Sequence, residues 1–243
     1  MLQTLEHDGF ANLTSVFTSA HVERMANQLA AAIHADVAGS TLRTAQGDVY
    51  GARNLLHLWP EARQFWRQPT LSAQLQEILG PSFGLVRGLF FDKPPGLSWS
   101  LPWHKDLTIA VKDSSLPSKR FTHPTRKAGV PHVEAPEDLL RGMLTARIHL
   151  DDVTEENGPL LVIPGSHQSG KTMPSVAAPV QPIIVQRGDV LLIRPLVAHC
   201  SRETQPHPTR QRRIVHLEFA PCPALPDGYA WHEFVPGITH GQE

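Results

Sequence analysis

The chain has 243 residues, of which 41% are hydrophobic and 19% are charged, and its formal net charge is −1. These values are typical of one globular domain, residues 1–243, that is large enough to fold without a disulfide or a structural metal. A charge this close to zero excludes strong general attraction to polyanions, so we expect neither nucleic acid nor a membrane as a partner.

Cysteine usage and the N-terminus favour a cytoplasmic protein. Cys200 and Cys222 are the only cysteines and form no C-x-x-C pair, which excludes a zinc ribbon or a disulfide framework. The first residues, MLQTLEHDGF, are too polar for a secretory signal. No stretch approaches the roughly 20 apolar residues that a transmembrane helix requires. Low cysteine content without a signal suits a reducing compartment.

The first third of the chain, residues 1–83, is predicted to be mostly helical. A helix is expected over about 18–38, capped by Thr18 or Ser19. A second helical stretch is expected over 60–79, interrupted by a proline and closed by Gly-Pro. The first helix has apolar residues at helical spacing on one face, namely Val22, Met25, Leu29 and Ile33.

From residue 84 the pattern changes to short apolar runs separated by proline and glycine. Several strands after a helical start predict a mainly β domain, a sandwich or barrel with helices packed outside it. The predicted strands cover 84–91, 107–111, 142–150, 159–164, 182–186, 189–195 and 213–219.

The triplet His104-Lys105-Asp106 is the first sequence feature that indicates a metal-binding site. If residues 103–111 are extended, alternate side chains share a face, and His104 and Asp106 can bind one metal ion. His199, at the end of a predicted strand, is the best third ligand. Two histidines and one carboxylate leave half of an octahedral sphere open, which suits iron(II) oxygenases. A tetrahedral zinc site is the alternative, and such sites usually serve hydrolysis.

These residues belong to an ordered set of motifs. WHKDLTIAV is followed by RIHLDDVTEENGPLLVIPGSHQSGK, then by GDVLLIRPLVAHCS and RRIVHLEFAP. From about Val86 to Pro221 the set resembles the phytanoyl-CoA dioxygenase family of iron(II)/2-oxoglutarate oxygenases, and NGPLLVIPGSH (157–167) is the most specific element. The resemblance implies a double-stranded β-helix, a cupin-like jelly roll, whose core covers residues 84–221.

The resemblance also implies roles for individual residues. By position, His104 and Asp106 correspond to the proximal iron ligands and His199 to the distal one. An arginine after the distal histidine is expected to pair with the far carboxylate of 2-oxoglutarate, which a guanidinium can bind through two hydrogen bonds. Arg210 has a common family spacing from His199, whereas Arg212 fits better if the strand RRIVHLEF sets the register. We favour Arg212 and keep Arg210 second.

Three further residues are candidates for the cosubstrate or substrate cavity. Arg87 and Lys93 lie on or near the strand before the metal motif, and a buried cation requires an anionic partner. Their alternatives are a surface position for Arg87 and a turn cap for Lys93. Ser201 either contacts the cosubstrate carboxylate or ends a turn.

Residues 112–136 carry little hydrophobic pattern and follow the proposed ligands directly. Loops of this length inside compact domains are usually lids, binding loops or disordered stretches. The segment is therefore predicted to be an active-site lid, with a disordered surface insertion as the alternative.

The resemblance implies hydroxylation of a small organic substrate, with 2-oxoglutarate and O₂ consumed and succinate and CO₂ released. Ascorbate is expected to help in vitro. Related halogenases have a small residue in place of the carboxylate ligand, and because this chain keeps Asp106, hydroxylation is expected rather than chlorination. Two alternatives stay open: a non-enzymatic cupin-like binding protein, and a zinc or manganese hydrolase that uses the same three ligands.

Overall fold

The computed structural model describes residues 1–175, 178–206 and 210–237, and antiparallel strands dominate them. In chain order the strands are β1 Phe10–Leu13, β2 Thr41–Arg43, β3 Val49–Ala52, β4 Gly84–Lys93, β5 Leu101–His104, β6 Thr108–Ala110, β7 Thr122–Lys127, β8 Val130–Glu134, β9 Leu144–His149, β10 Leu160–Val162, β11 Gln181–Pro182, β12 Val190–Ile193, β13 His199–Ser201, β14 Arg212–Ala220 and β15 Val235–Pro236.

The helices lie mainly before β4. They are α1 Leu2–Asp8, α2 Ser19–His34, α3 Leu55–Leu58, α4 Ala62–Phe65, α5 Pro69–Leu79 and α6 Glu137–Gly142, with a 3₁₀ turn at Ser166–Ser169. None of the described helices is long and apolar enough to cross a membrane.

The two long helices confirm the helical patterns in the sequence. Thr18 caps α2 by accepting a hydrogen bond from the backbone nitrogen of His21 at 3.3 Å. The helix ends four residues earlier than predicted, at His34. Proline at the start of α5 interrupts the second helical stretch after α4. Both helices bury apolar side chains in the main core, among them Val22, Met25, Leu29, Leu71 and Leu75.

Residues 1–83 contain five helices, and also three short strands that the sequence did not predict. β1 extends one edge of the main sheet by pairing with β12, and the β2–β3 hairpin extends the other edge by pairing with β4. These strands have only three or four residues each. Strands this short show no periodicity, and pairing to distant sheet edges defines them.

The main sheet has eight strands in the order β1-β12-β9-β14-β4-β3-β2, with β15 beside β4. Side chains alternate across it. On β9, Ala146 and Ile148 face the helices and join the main core, so Thr145, Arg147 and His149 between them face the opposite side. That opposite side faces the second sheet and forms one wall of a cavity.

The second sheet has four strands in the order β11-β10-β13-β5. A separate apolar cluster joins it to the main sheet, with Val162 and Ile183 from one side and Leu191 and Ile193 from the other. Two facing antiparallel sheets with this connectivity form the predicted jelly roll.

Residues 112–136 are not the structureless loop that the sequence suggested. Two strands of this segment, β7 and β8, form a hairpin, and β8 pairs with β6 directly after Asp106. Ala128 and Gly129 connect the two strands with φ angles of 46° and 80°, as in a tight two-residue turn. Most side chains of β7 are exposed, which explains why the segment shows no hydrophobic pattern.

Candidate active site

His104, Asp106 and His199 converge at one end of the second sheet. His104 ends β5 and His199 begins β13, and the two are cross-strand partners with ring centroids 4.3 Å apart. Asp106 follows β5, and its backbone nitrogen donates to the carbonyl of Pro195 at 2.9 Å. One donor atom from each of the three side chains lies within 4.8 Å of the other two. The structure therefore brings the three predicted ligands together.

Both imidazoles are oriented for a metal. The Nδ1 atom of His104 lies 2.7 Å from the carbonyl oxygen of Pro102, and Nδ1 of His199 lies 2.9 Å from that of Val197. A carbonyl can only accept, so each Nδ1 donates, and in the neutral ring Nε2 keeps the lone pair that a metal requires. The Nε2 atoms of His104 and His199 point to Asp106, at 3.9 and 3.7 Å from its carboxylate oxygens. Backbone carbonyls commonly orient metal-binding histidines in this way.

The charges of these groups also fit a divalent cation. Burial lowers the pKa of the His199 imidazole to about 4, so the ring is neutral at physiological pH. Burial raises the pKa of the Asp106 carboxyl, but the nearby His199 and His216 outweigh this effect and hold the pKa below its usual value. The site thus offers an ionised carboxylate and a neutral imidazole to a metal without a change of protonation.

Lys105, which lies between His104 and Asp106 in the sequence, supports the site through buried hydrogen bonds. Its buried ammonium donates to the carbonyl oxygens of Ser166 at 2.7 Å and Gly170 at 2.6 Å. The hydroxyl of Ser166 accepts from the backbone nitrogen of Ala198 at 2.8 Å, next to His199. The turn at residues 164–167, within the motif NGPLLVIPGSH, therefore contacts both ligand-bearing segments through Ser166.

Arg212 lines one end of the cavity, called here the deep end, and the buried ammonium of Lys93 lies beside it, in contact with the same serine. Arg212 is 1% exposed and Lys93 is 0% exposed, and they are register partners on β14 and β4. Lys93 donates to the hydroxyl of Ser201 at 3.0 Å and to the carbonyl of Arg202. Arg212 reaches the same Ser201 hydroxyl at 3.4 Å. Within the described part of the chain, neither cation forms an ion pair, and Nε of Arg212 has no hydrogen-bond acceptor.

An anion bound at this end would offset the unfavourable burial of the positive charges of Lys93 and Arg212. Burial, followed by the charge of Arg212, lowers the pKa of Lys93 to about 7. Burial, followed by the charge of Arg147, lowers the pKa of Arg212 to about 9. Buried cations without an anionic partner are unfavourable, so an anionic group such as a carboxylate would be stabilised beside them.

The two remaining predicted residues, Arg87 and Arg210, lie in different parts of the structure. Arg87 lines the same cavity, where its guanidinium pairs with Glu218 at 3.1 Å. Arg210 lies outside the cavity, is 61% exposed at its side chain and is 3.9 Å from Asp152. Of the two arginines proposed for the cosubstrate, the structure places Arg212 in the cavity and Arg210 at the surface.

The cavity has a volume of about 250 Å³ and extends along β4 and β14. Every second residue of β4 and β14 faces the cavity, so these side chains follow one another along its wall. From the deep end outward, the lining residues are Arg212, Phe91, the register partners Leu89 and His216, and the register partners Arg87 and Glu218. His104, Asp106 and His199 line the same cavity.

Arg147 is the main cavity residue that sequence reasoning missed. It is 6% exposed, its Nη1 lies 3.1 Å from Nδ1 of His216, and its Nε has no acceptor among the described residues. Burial lowers its pKa to about 10, although the charge of Asp106 acts in the opposite direction. The signal was available, because Arg147 lies on the polar face of a strand whose other face is apolar, between Ala146 and Ile148.

Solved structures of similar fold include three proteins. SnoN, a non-haem α-ketoglutarate-dependent epimerase from nogalamycin biosynthesis, is 15% identical, with a TM-score of 0.63 over 89% of this chain and 79% of that one. EctD from S. alaskensis with bound Fe is 19% identical, with a TM-score of 0.68 over 90% and 74%. HygX from Streptomyces hygroscopicus, with nickel and 2-oxoglutarate bound, is 18% identical, with a TM-score of 0.62 over 90% and 85%.

At these identities the similarity shows the fold alone, and it confirms the predicted jelly roll. No curated protein matches the sequence. The family model for phytanoyl-CoA dioxygenase (PhyH) matches residues 5–213, which is most of the chain. Proteins of this family are oxygenases that use iron(II), 2-oxoglutarate and O₂. Because that match covers most of the sequence, this chain belongs to the phytanoyl-CoA dioxygenase family.

Proposed function

We propose that the protein is an iron(II)- and 2-oxoglutarate-dependent dioxygenase that hydroxylates a small organic substrate and releases succinate and CO₂. One observation carries the proposal. The cavity is lined by two imidazoles and a carboxylate whose donor atoms lie within 4.8 Å of one another, and also by the buried Arg212. Neither Arg212 nor the neighbouring Lys93 has a carboxylate partner among the described residues. A metal and a dicarboxylate together satisfy both sets of groups.

In this proposal His104, Asp106 and His199 hold iron(II), and they leave the other positions of the ion for 2-oxoglutarate and O₂. Iron(II) bound there supplies the redox chemistry that couples decarboxylation of 2-oxoglutarate to oxidation of a substrate C–H bond. The Asp106 carboxylate occupies a position that a halide would need, which favours hydroxylation over chlorination.

Arg212 binds the far carboxylate of 2-oxoglutarate through two charge-assisted hydrogen bonds. Lys93 adds a second positive charge, and the Ser201 hydroxyl, which already touches both cations, adds a hydrogen bond. The apolar side chains of Phe91 and Leu160 line the cavity between this end and the ligands, and they exclude water from the cosubstrate.

The β7–β8 hairpin is proposed to close the outer end of the cavity. Lys127, the last residue of β7, lines the cavity and connects the hairpin to it. Closure after substrate binding would exclude solvent from the reactive site.

Succinate formation tests the proposal. The protein is incubated with iron(II), 2-oxoglutarate, ascorbate and a panel of small substrates in air, and succinate is quantified. We expect iron-dependent succinate that Asp106→Ala abolishes and that Asp48→Ala, a change of an exposed carboxylate that does not line the cavity, leaves unchanged. Gain of one oxygen atom by a substrate identifies hydroxylation, whereas an isomerised or cyclised product would contradict it.

The same assay separates the alternatives. A non-enzymatic cupin-like protein would bind metal and 2-oxoglutarate and form no succinate with any substrate. A hydrolase would be active with zinc or manganese in the absence of 2-oxoglutarate and O₂. Either result would contradict the proposed function.

A further inference from the structure

The outer end of the cavity carries a second group of cations, contributed by three different elements. Arg53 directly follows β3, Arg87 lies on β4, and Lys127 ends β7, and all three line the cavity. They lie beyond the ligands as seen from Arg212. Binding of 2-oxoglutarate at Arg212 therefore does not explain the presence of these three cations.

One carboxylate faces this group, and it is already engaged. Among the described residues that line the cavity, the carboxylates are Asp106 and Glu218. Glu218 pairs with Arg87 at 3.1 Å, and the same oxygen lies 3.4 Å from Nε2 of His216. Asp106 belongs to the proposed metal site. The charge of Arg87 is thus balanced within the protein.

Arg53 and Lys127 have no such balance. Nζ of Lys127 donates to the hydroxyl of Thr108 at 2.7 Å, which is a neutral acceptor. The guanidinium of Arg53 forms no hydrogen bond or ion pair within the described part of the chain. Both side chains are half-buried. Burial and the charge of Arg87 lower the pKa of each, and for Lys127 the opposing charges of Glu218 and Asp106 do not cancel this effect. An oxyanion between them would reverse this effect.

The position of these cations points to the substrate. On β14, Glu218 lies two residues beyond His216, about 7 Å further from the cosubstrate end. A molecule held at this level extends over the ligands, between the apolar side chains of Leu42, Ala52 and Leu89. The volume of about 250 Å³ has to hold both the cosubstrate and the substrate, so the entering part of the substrate is small.

We propose that the substrate is an acid and that Arg53 and Lys127 bind its carboxylate or phosphate group at the outer end of the cavity. This inference rests on the proposed oxygenase function and adds a substrate class to it. The cavity then binds an anion at each end, the cosubstrate at Arg212 and the substrate at Arg53 and Lys127. The ligand residues lie between the two.

Binding of simple anions tests this proposal without turnover. The protein is loaded with manganese(II) and saturating 2-oxoglutarate, which blocks the site at Arg212. It is then titrated calorimetrically with butanoate, with inorganic phosphate and with neutral butanamide. We expect butanoate or phosphate to bind and butanamide not to bind, and the anion that binds more tightly identifies the acidic group.

The variant Arg53→Gln/Lys127→Gln should weaken that anion at least tenfold and leave the affinity for 2-oxoglutarate within about twofold. Arg126→Gln is the matched control, because Arg126 neighbours Lys127 on β7 and is exposed, outside the cavity. The single variants Arg53→Gln and Lys127→Gln should each show part of the loss, and thermal melts establish that all variants are folded.

The possible outcomes distinguish failure of the substrate proposal from failure of the proposed oxygenase function. If neither anion binds the wild type, or if the double variant binds equally well, the substrate proposal is overturned. It is also overturned if the double variant loses affinity for 2-oxoglutarate instead, because the two residues would then belong to the cosubstrate site. Failure of the proposed function has a different signature, namely no metal-dependent binding of 2-oxoglutarate, whatever the result with butanoate.

Discussion

His104 and His199 face each other as register partners on β5 and β13, and their rings are 4.3 Å apart. The geometry of the ligand cluster is therefore fixed by strand pairing between segments that are distant in the chain. A shift of one residue in this pairing would turn His199 to the opposite face of its strand. The hydrogen bond of each Nδ1 to a carbonyl then sets which nitrogen meets the metal.

Replacing any one of the three ligands should abolish tight metal binding. His104→Ala, Asp106→Ala and His199→Ala each remove one protein donor from a set of three. We expect less than one-tenth of wild-type manganese(II) or anaerobic iron(II) to be retained in equilibrium dialysis. His57→Ala, a change of an exposed histidine on α3, should retain normal binding. Normal metal content in Asp106→Ala would show that the assignment is wrong.

Arg212 and Arg210 should differ strongly in their effect on the cosubstrate. Arg212→Ala removes the buried partner of the 2-oxoglutarate carboxylate, a loss of about 2–5 kcal/mol that corresponds to roughly 30-fold or more in affinity. Arg210→Ala changes an exposed side chain outside the cavity and should stay within about twofold. Calorimetry of 2-oxoglutarate with the manganese(II) protein measures both. A larger effect of Arg210→Ala would transfer the role to that residue.

Affinity for 2-oxoglutarate should fall as the pH rises above about 7. Burial lowers the pKa of Lys93 to about 7, so the free protein loses this ammonium charge above that pH. Binding of a dianion favours the protonated amine, and the complex must then take up a proton to form. The dissociation constant should therefore rise by up to about tenfold per pH unit between pH 7 and 9. Lys93→Met should bind more weakly at pH 6 and show a flatter profile. A pH-independent wild type would contradict this role.

Lys105 should matter for stability although it faces away from the ligands. Lys105→Met leaves the carbonyls of Ser166 and Gly170 without their donor, which should lower the free energy of unfolding by about 1–3 kcal/mol. Urea unfolding measures the change, with Lys112→Met at an exposed position as the control. Metal affinity should fall as well, because Ser166 also supports the strand of His199. Equal stability of the two variants would contradict the bracing role.

The sequence predicted those parts of the fold that local patterns determine. The cap at Thr18 and the helical spacing of Val22, Met25 and Leu29 defined α2. The apolar runs defined the central strands of both sheets. His104 and Asp106 could be paired from their spacing, but the extended geometry assumed for 103–111 holds only in part, because residues 105–107 lie between β5 and β6.

Non-local pairing explains what the sequence could not predict. The strands β1, β2 and β3 exist because the main sheet has edges to extend, and no local signal marks them. The strand β7 is largely exposed and its residues are mostly polar, so this part of the hairpin resembles a loop in the sequence. The group of Arg53, Arg87 and Lys127 requires three elements to meet, which no spacing rule describes. Arg212 could be preferred over Arg210 from register, but its burial appears only in the structure.

The dependence of 2-oxoglutarate binding on metal tests the central claim most directly. Calorimetry under anaerobic conditions compares wild type with and without iron(II), together with Asp106→Ala. We predict one 2-oxoglutarate per chain, bound at least tenfold more tightly with iron(II) than without it, and no such enhancement in Asp106→Ala. Equal affinity with and without iron(II) in the wild type would show that the ligand cluster and the cation end do not share one ligand, and would contradict the account.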